Sequence, residues 1–206
     1  VLSLSRRNRI PILTLGPLLA RCGKAEVPIL GGDKIGPRPV GLHFDALQAM
    51  GAKITVTEKS YRAEAPHGLH GAKIEFPFPS VGATENTILA AVLAKGKTLI
   101  CNAAVEPEII DLIKMLQKMG AIIGLGANRT IEIEGVERLR GTTHSVIPDR
   151  MEAASFACLA AATDGKIFVE DARQEDLLTF LNAFRRIGGG YEVADDGISF
   201  WRERPL

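Results

Sequence analysis

A threefold internal repeat constrains this chain more than any other feature of its sequence. Residues 42–51, 109–120 and 177–188 each read as an amphipathic stretch that ends on a glycine, and those glycines are spaced 69 and 68 residues apart. The apolar stripes are Leu47/Met50, Leu112/Met115/Leu116/Met119 and Leu177/Leu181/Phe184, which at i, i+3, i+4, i+7 spacing predict helices. A glycine just past the stripe fits a helix C-cap, where φ is positive. A β-like run follows each one (52–56, 121–125, 191–193), and then a second short strand (61–65, 130–134, 197–200).

The front half of each unit repeats as well. Ser80-Val-Gly-Ala-Thr84 leads into a small-residue helix over 87–94, then Gly96 and a strand at 98–102. Asp149-Arg-Met-Glu152 leads into 153–162, then Gly165 and a strand at 166–170, while residues 11–21 and Gly23 form the first copy. Each unit therefore reads β-α-β-α-β-β, an α/β fold made of repeats. The first helix of each unit is rich in Ala and Leu with almost no charge, so it is expected to be buried all round. The second helix is amphipathic and should cover the outside. Helices inside and sheets outside is the arrangement this composition calls for.

Global properties narrow the function. At 206 residues the chain can form one large or two small domains. Its 25 basic and 24 acidic residues nearly cancel, so no nucleic-acid or membrane-surface partner is called for. No apolar run approaches the roughly 20 residues that span a bilayer. The opening residues lack the order of a signal peptide, and a start at Val1 suggests a trimmed chain. Cys22, Cys101 and Cys158 are odd in number and widely spaced, which is expected of buried, reduced thiols in a cytosolic protein.

Chemistry concentrates in a few stretches. Gly31-Gly-Asp-Lys-Ile-Gly-Pro-Arg-Pro39 combines glycines that permit close backbone approach with an acid, Asp33, and two cations, Lys34 and Arg38. It is not a P-loop, because Gly36 is followed by Pro-Arg. Ser80, Val81 and Gly82 precede a helix expected to begin near Ala83, so their N–H groups suit a diphosphate; a plain N-cap by Ser80 or Thr84 explains them equally. Asp149 and Arg150 sit at the equivalent start of the third unit, and an N-cap explains Asp149 equally well. Glu106 and Glu108 open a helix, where acids favour the dipole. His67 and His70 have metal spacing only on a helix, and Pro66 and Gly68 argue for a turn. Gly188-Gly-Gly190 reads as a helix stop. His43 and His144 receive no role.

Six motifs lie in order along nearly the whole chain: Leu15-Gly-Pro-Leu-Leu-Ala-Arg21, the Gly31–Pro39 loop, Ser80-Val-Gly-Ala-Thr84, Asn102-Ala-Ala-Val-Glu-Pro-Glu108, Ile133-Glu-Gly-Val-Glu137 and Ile147-Pro-Asp-Arg-Met-Glu152. On these the chain resembles the enolpyruvyl transferase family, its amino-sugar branch more than its shikimate-phosphate branch. The resemblance implies an inside-out α/β barrel fold of six repeat units in two domains, of which this chain carries three. Residues 1–147 would be two units of the first domain and 148–206 one unit of the second.

The implied reaction is transfer of the enolpyruvyl group from phosphoenolpyruvate to the 3′-hydroxyl of UDP-N-acetylglucosamine. It proceeds by addition–elimination, in the cytoplasm, as the first committed step of peptidoglycan synthesis. Asp33 would be the catalytic loop acid, standing where most members carry the cysteine that fosfomycin alkylates. Arg9 and Arg38 would bind phosphoenolpyruvate; Pro39, Val40 and Leu42 the uracil ring; Ser80, Val81 and Gly82 the diphosphate. No metal or organic cofactor is implied. The partners are the two small substrates and the missing repeat units, which in the family carry the catalytic base and further phosphate ligands. Gly41 and Phe78 depart from residues usual in the family. Alternatives are an enolpyruvyl transferase for another acceptor, such as shikimate 3-phosphate, or a nucleotide-sugar-binding module without catalysis.

Overall fold

A computed structural model describes residues 8–32 and 39–205. Contacts divide the chain into two compact units, Val1–His144 and Ser145–Leu206.

In the first unit a 3₁₀ turn, Ile10–Thr14, runs into helix α1 (Leu15–Cys22) and strand β1 (Lys24–Pro28). Next come α2 (Gly41–Ala49), β2 (Lys53–Val56), β3 (Ser60–Glu64) and β4 (Lys73–Glu75), followed by α3 (Val81–Ala91) and β5 (Lys97–Cys101). Helix α4 (Pro107–Lys118), β6 (Ile122–Gly126) and β7 (Thr130–Glu134) complete it. The second unit contains α5 (Arg150–Thr163), β8 (Lys166–Glu170), α6 (Gln174–Ile187), β9 (Gly189–Ala194) and β10 (Gly197–Arg202).

The repeat is visible in the sheets. Their orders are β1-β3-β2, β5-β7-β6 and β8-β10-β9, so in each copy the last strand sits between the other two, antiparallel to both. The middle sheet alone adds a parallel edge, β4 against β5. The full β-α-β-α-β-β order is therefore seen only in the middle copy. Before α1 the described chain forms a proline-containing 3₁₀ turn, and before α5 it runs irregularly, its hydrogen bonds taken elsewhere. The second helices end as the stripes require: Gly51, Gly120 and Gly188 have φ of 96°, 98° and 108°.

Helix α3 is the hub of the first unit. Not one of its residues is exposed, and it packs against α1, α2, α4 and the strands β5 and β7. Ala, Thr, Ile and Asn side chains small enough for close approach make this possible. Its counterpart α5 corrects the expectation of burial all round. Ala153, Ala157, Ala160 and Ala161 face the core with Leu177, Leu181, Phe184, Ile198 and Phe200, but Met151, Phe156 and Leu159 are 58%, 44% and 51% exposed. One sheet and one amphipathic helix cover a single face of α5, and nothing in its own unit covers the other.

The cysteines correct a second expectation. Cys22 and Cys158 are exposed and Cys101 is half-buried. Cys22 is the last residue of α1, beyond the buried Leu15/Leu19 stripe; Cys158 lies on the open face of α5; Cys101 is on the outward phase of β5. A third correction concerns Gly189 and Gly190, which belong to β9. The rings of Phe184 and Trp201 occupy the space where their side chains would stand, so only glycine fits there.

Candidate functional site

A cavity of about 540 Å³ opens where the 3₁₀ turn, the start of α2 and the start of α3 converge. Arg9, Pro39, Leu42, Ser80 and Gly82, five residues singled out from sequence, line it together with His43. Val40 is the N-cap residue of α2 and Val81 the first residue of α3, so both adjoin the cavity without lining it. Asp33 and Arg38 lie outside the described residues. Gly41, Asp45 and Phe78 complete the polar and aromatic rim.

The start of α3 differs from expectation by two residues. Val81 and Gly82 are already helical, and Ser80 is the N-cap, its hydroxyl accepting from the Ala83 amide at 3.4 Å. Ser80 therefore does cap the helix. The first-turn amides of Val81 and Gly82 still lack intrahelical acceptors, as in any α-helix, and leave partial positive charge at the cavity wall. Thr84 turns inward, its hydroxyl accepting from the Ala104 amide at 3.0 Å.

The sequence offered no role for His43, yet it is central here. It is only 6% exposed, and its Nδ1 stands 3.2 Å from Asn86 Nδ2. Asn86 is itself buried, and its Oδ1 accepts from the Gly16 amide at 2.9 Å. One amide side chain thus ties α1, α2 and α3 together. The available signal was an asparagine in a helix otherwise made to be buried, since a buried polar group must find partners. Burial, and then the positive charge of Arg9, lowers the His43 pKa to about 4, so the ring is neutral at neutral pH. On α3, burial, and then the Glu108 carboxylate, raises the pKa of Glu85.

Other candidates fall elsewhere. Asp149 is the N-cap of α5, accepting from the amides of Met151 at 2.7 Å and Glu152 at 3.3 Å. His67 and His70 lie outside any helix, and among the described residues no group of three or more His, Cys, Asp or Glu could hold a metal. His144, also given no role from sequence, is largely buried: its Nε2 meets Asp111 Oδ1 at 3.0 Å and its Nδ1 faces Lys118 Nζ at 3.3 Å. A second hollow, about 530 Å³, lies on the middle sheet beside the exposed Lys97–Glu134 pair. It gathers ladder side chains without a buried acid, base or helix terminus, and none of the candidate residues.

The chain matches the EPSP synthase (3-phosphoshikimate 1-carboxyvinyltransferase) family over residues 3–203. It is 54% identical, over 97% of its length, to a UDP-N-acetylglucosamine 1-carboxyvinyltransferase of Chlamydia muridarum, covering 45% of that protein. It is 50% identical, over 98% of its length, to the enzyme of the same name from Zymomonas mobilis, covering 47% of it. The chain thus spans about half the length of the curated relatives it matches. Among solved structures, the enolpyruvyl transferase NikO from Streptomyces tendae shares its fold with a TM-score of 0.75 at 20% identity, over 94% of this chain and 46% of that one. EPSP synthase from Acinetobacter baumannii does so at 0.60 and 21%, over 91% and 45%. The fold is that of the enolpyruvyl transferases, and the chain belongs to the EPSP synthase family.

Proposed function

We propose that this chain is the nucleotide-sugar-binding part of an enzyme that transfers the enolpyruvyl group of phosphoenolpyruvate to the 3′-hydroxyl of UDP-N-acetylglucosamine. The observation that carries this reading is the convergence of Arg9, Pro39, Leu42, Ser80 and Gly82, from three distant stretches, on one cavity. The names and high identity of the curated relatives support the choice of acceptor. The reaction belongs in the cytoplasm in this reading. No helix among the described residues is long and apolar enough to cross a membrane.

In this reading the uracil ring rests on the chain at Pro39, Val40 and Leu42. The diphosphate meets the first turn of α3 at Ser80, Val81 and Gly82, where amides and helix dipole favour an anion. Arg38 takes the phosphate or carboxylate of phosphoenolpyruvate through its planar fork, with Arg9 near the same anion. The sugar hydroxyl gives its proton to the base and attacks C2 while Asp33 delivers a proton to C3, giving a tetrahedral ketal; loss of phosphate together with a proton from C3 then leaves the enol ether. An aspartate does this at neutral pH only if desolvation on loop closure raises its pKa. Residues 1–147 form two repeat units of a first domain and 148–206 one unit of a second. The remaining units of the same enzyme supply the base and the other phosphate ligands.

Titration calorimetry with UDP-N-acetylglucosamine and a phosphate-release assay test this directly. The 206-residue chain should bind the nucleotide sugar without releasing phosphate, and its parent enzyme should do both. Absence of binding by the parent enzyme overturns the reading. Asp33 adds a sharper test, because a carboxylate is a poorer nucleophile than a thiolate towards an epoxide. The parent enzyme should therefore gain no stable mass adduct with fosfomycin, whereas Asp33→Cys should.

A further inference from the structure

Asn86 lies on the buried side of α3 and does not line the cavity, yet it faces His43, which does. Its side-chain oxygen accepts from the Gly16 amide at 2.9 Å, and a backbone N–H can only donate. The side-chain nitrogen must then be the atom facing His43 Nδ1 at 3.2 Å, and an amide nitrogen can only donate as well. Nδ1 of His43 therefore carries a lone pair, and in the neutral ring the proton sits on Nε2. The assignment follows from which groups can donate and not from any placed hydrogen.

The opposite edge of the ring reaches the cavity. A Cβ built on Gly82 would lie 3.4 Å from His43 Cε1 and 3.6 Å from Nε2, so this edge rests against the second residue of α3. Nε2 has no hydrogen-bond partner among the described residues, although the ring is more than nine-tenths buried. Only Thr98 Oγ1 is a fully buried side-chain polar atom without a partner among the described residues, so Nε2 is an accessible donor on a buried side chain, open at the cavity wall beside a helix N-terminus, where an acceptor on a ligand can meet it.

We propose that Asn86 is a positioning residue of the site: anchored by the Gly16 amide, it holds His43 as the Nε2–H tautomer. His43 thereby presents one neutral N–H donor beside the first-turn amides of α3, directed at a phosphate oxygen of the bound nucleotide. The phosphate half of this proposal rests on the reading under Proposed function; the tautomer half does not. A neutral donor suits the position because Arg9 already supplies positive charge nearby. The opposite tautomer would turn a lone pair towards the same oxygen and repel it.

The first measurement is a two-bond ¹⁵N–¹H correlation spectrum of the 206-residue chain at pH 7, with His43 assigned through a His43→Gln variant. It should show a protonated Nε2 and a bare Nδ1; the reverse tautomer, or a charged ring, overturns the proposal. Asn86→Asp keeps an acceptor for Gly16 but replaces the donor facing Nδ1 with a second acceptor, and should move the ring proton to Nδ1. Calorimetry with UDP should then show affinity lower by roughly tenfold or more, the worth of a hydrogen bond to a charged group, with uridine binding unchanged. If Asn86→Asp does not fold, His43→Phe should give the same UDP-specific loss. Equal weakening of UDP and uridine overturns the phosphate role. Failure of the unsubstituted chain to bind UDP overturns the phosphate role; binding by the parent enzyme decides the nucleotide reading, and the spectrum decides the tautomer alone.

Discussion

Replacing Gly16 by alanine tests how closely α1 and α3 must approach. A Cβ at residue 16 would stand 2.5 Å from the Asn86 carbonyl oxygen, 2.6 Å from Asn86 Oδ1 and 3.2 Å from Ala90 Cβ. The nearest of these falls roughly 1 Å short of ordinary contact, and it belongs to the backbone of a buried helix, which has little room to yield. Overpacking of this kind costs about 1–3 kcal/mol. Moving the helices apart also stretches the bond from the Gly16 amide to Asn86, worth about 1 kcal/mol more. The gain in helix propensity returns less than about 1 kcal/mol. The net loss is about 1–3 kcal/mol, which at a urea slope of about 2 kcal/mol per molar lowers the midpoint by about 0.5–1.5 M. Far-ultraviolet circular dichroism would follow the whole chain, while Trp201, the sole tryptophan, would report the second unit. Gly124→Ala is the control, because a Cβ there meets nothing within 4 Å. A Gly16→Ala midpoint equal to that of Gly124→Ala would refute the reasoning.

Because the folded His43 pKa lies near 4 and the unfolded value near 6.5, stability should be complete above pH 6.5 and fall between there and pH 4, as only the unfolded chain takes up the proton. The loss is about 3 kcal/mol, read as the difference in pH dependence of unfolding between the parent chain and His43→Gln. Glu85→Gln should raise stability at pH 7, because burial and Glu108 disfavour the carboxylate, and the advantage should disappear as pH falls through the carboxylate range; urea titrations at pH 7 and pH 4 check it. Ala91→Asp places an unpaired charge where exposure is 0% and should cost several kcal/mol, whereas Ala162→Asp, on the open face of α5, should leave the urea midpoint nearly unchanged.

The elements that the sequence exposed were those set by local rules. A stripe followed by a glycine located α2, α4 and α6, because the C-cap requirement falls on one residue. The burial of α3 was also legible, since a helix with almost no charge turns most of its surface away from water. The start of that helix was not: Val81 and Gly82 look like loop, and only the Ser80 cap makes them helical. The tie between Gly16, His43 and Asn86 joins residues 27 to 70 positions apart, and no window of sequence contains it. The half-open face of α5 was misread for a related reason. Composition says what a helix would bury against, and only the surrounding chain decides whether a cover is present.

The stretch after β7 is bound at several points. Gly135 and Val136 donate to the Gly96 and Val92 carbonyls, Arg140 donates to Met119, and His144 is held by Asp111 and Lys118. Among the described residues no such bond holds Ser145, Val146 or Ile147, and Val146 is 77% exposed. Pro148 has its φ fixed by the ring and restricts Ile147 to extended conformations. Torsional freedom in this joint is therefore confined to Ser145 and Val146, about four soft dihedral angles in all. A proline at position 146 would fix one more φ and push Ser145 towards extended backbone, leaving an unbroken run of restricted residues from 145 to 148.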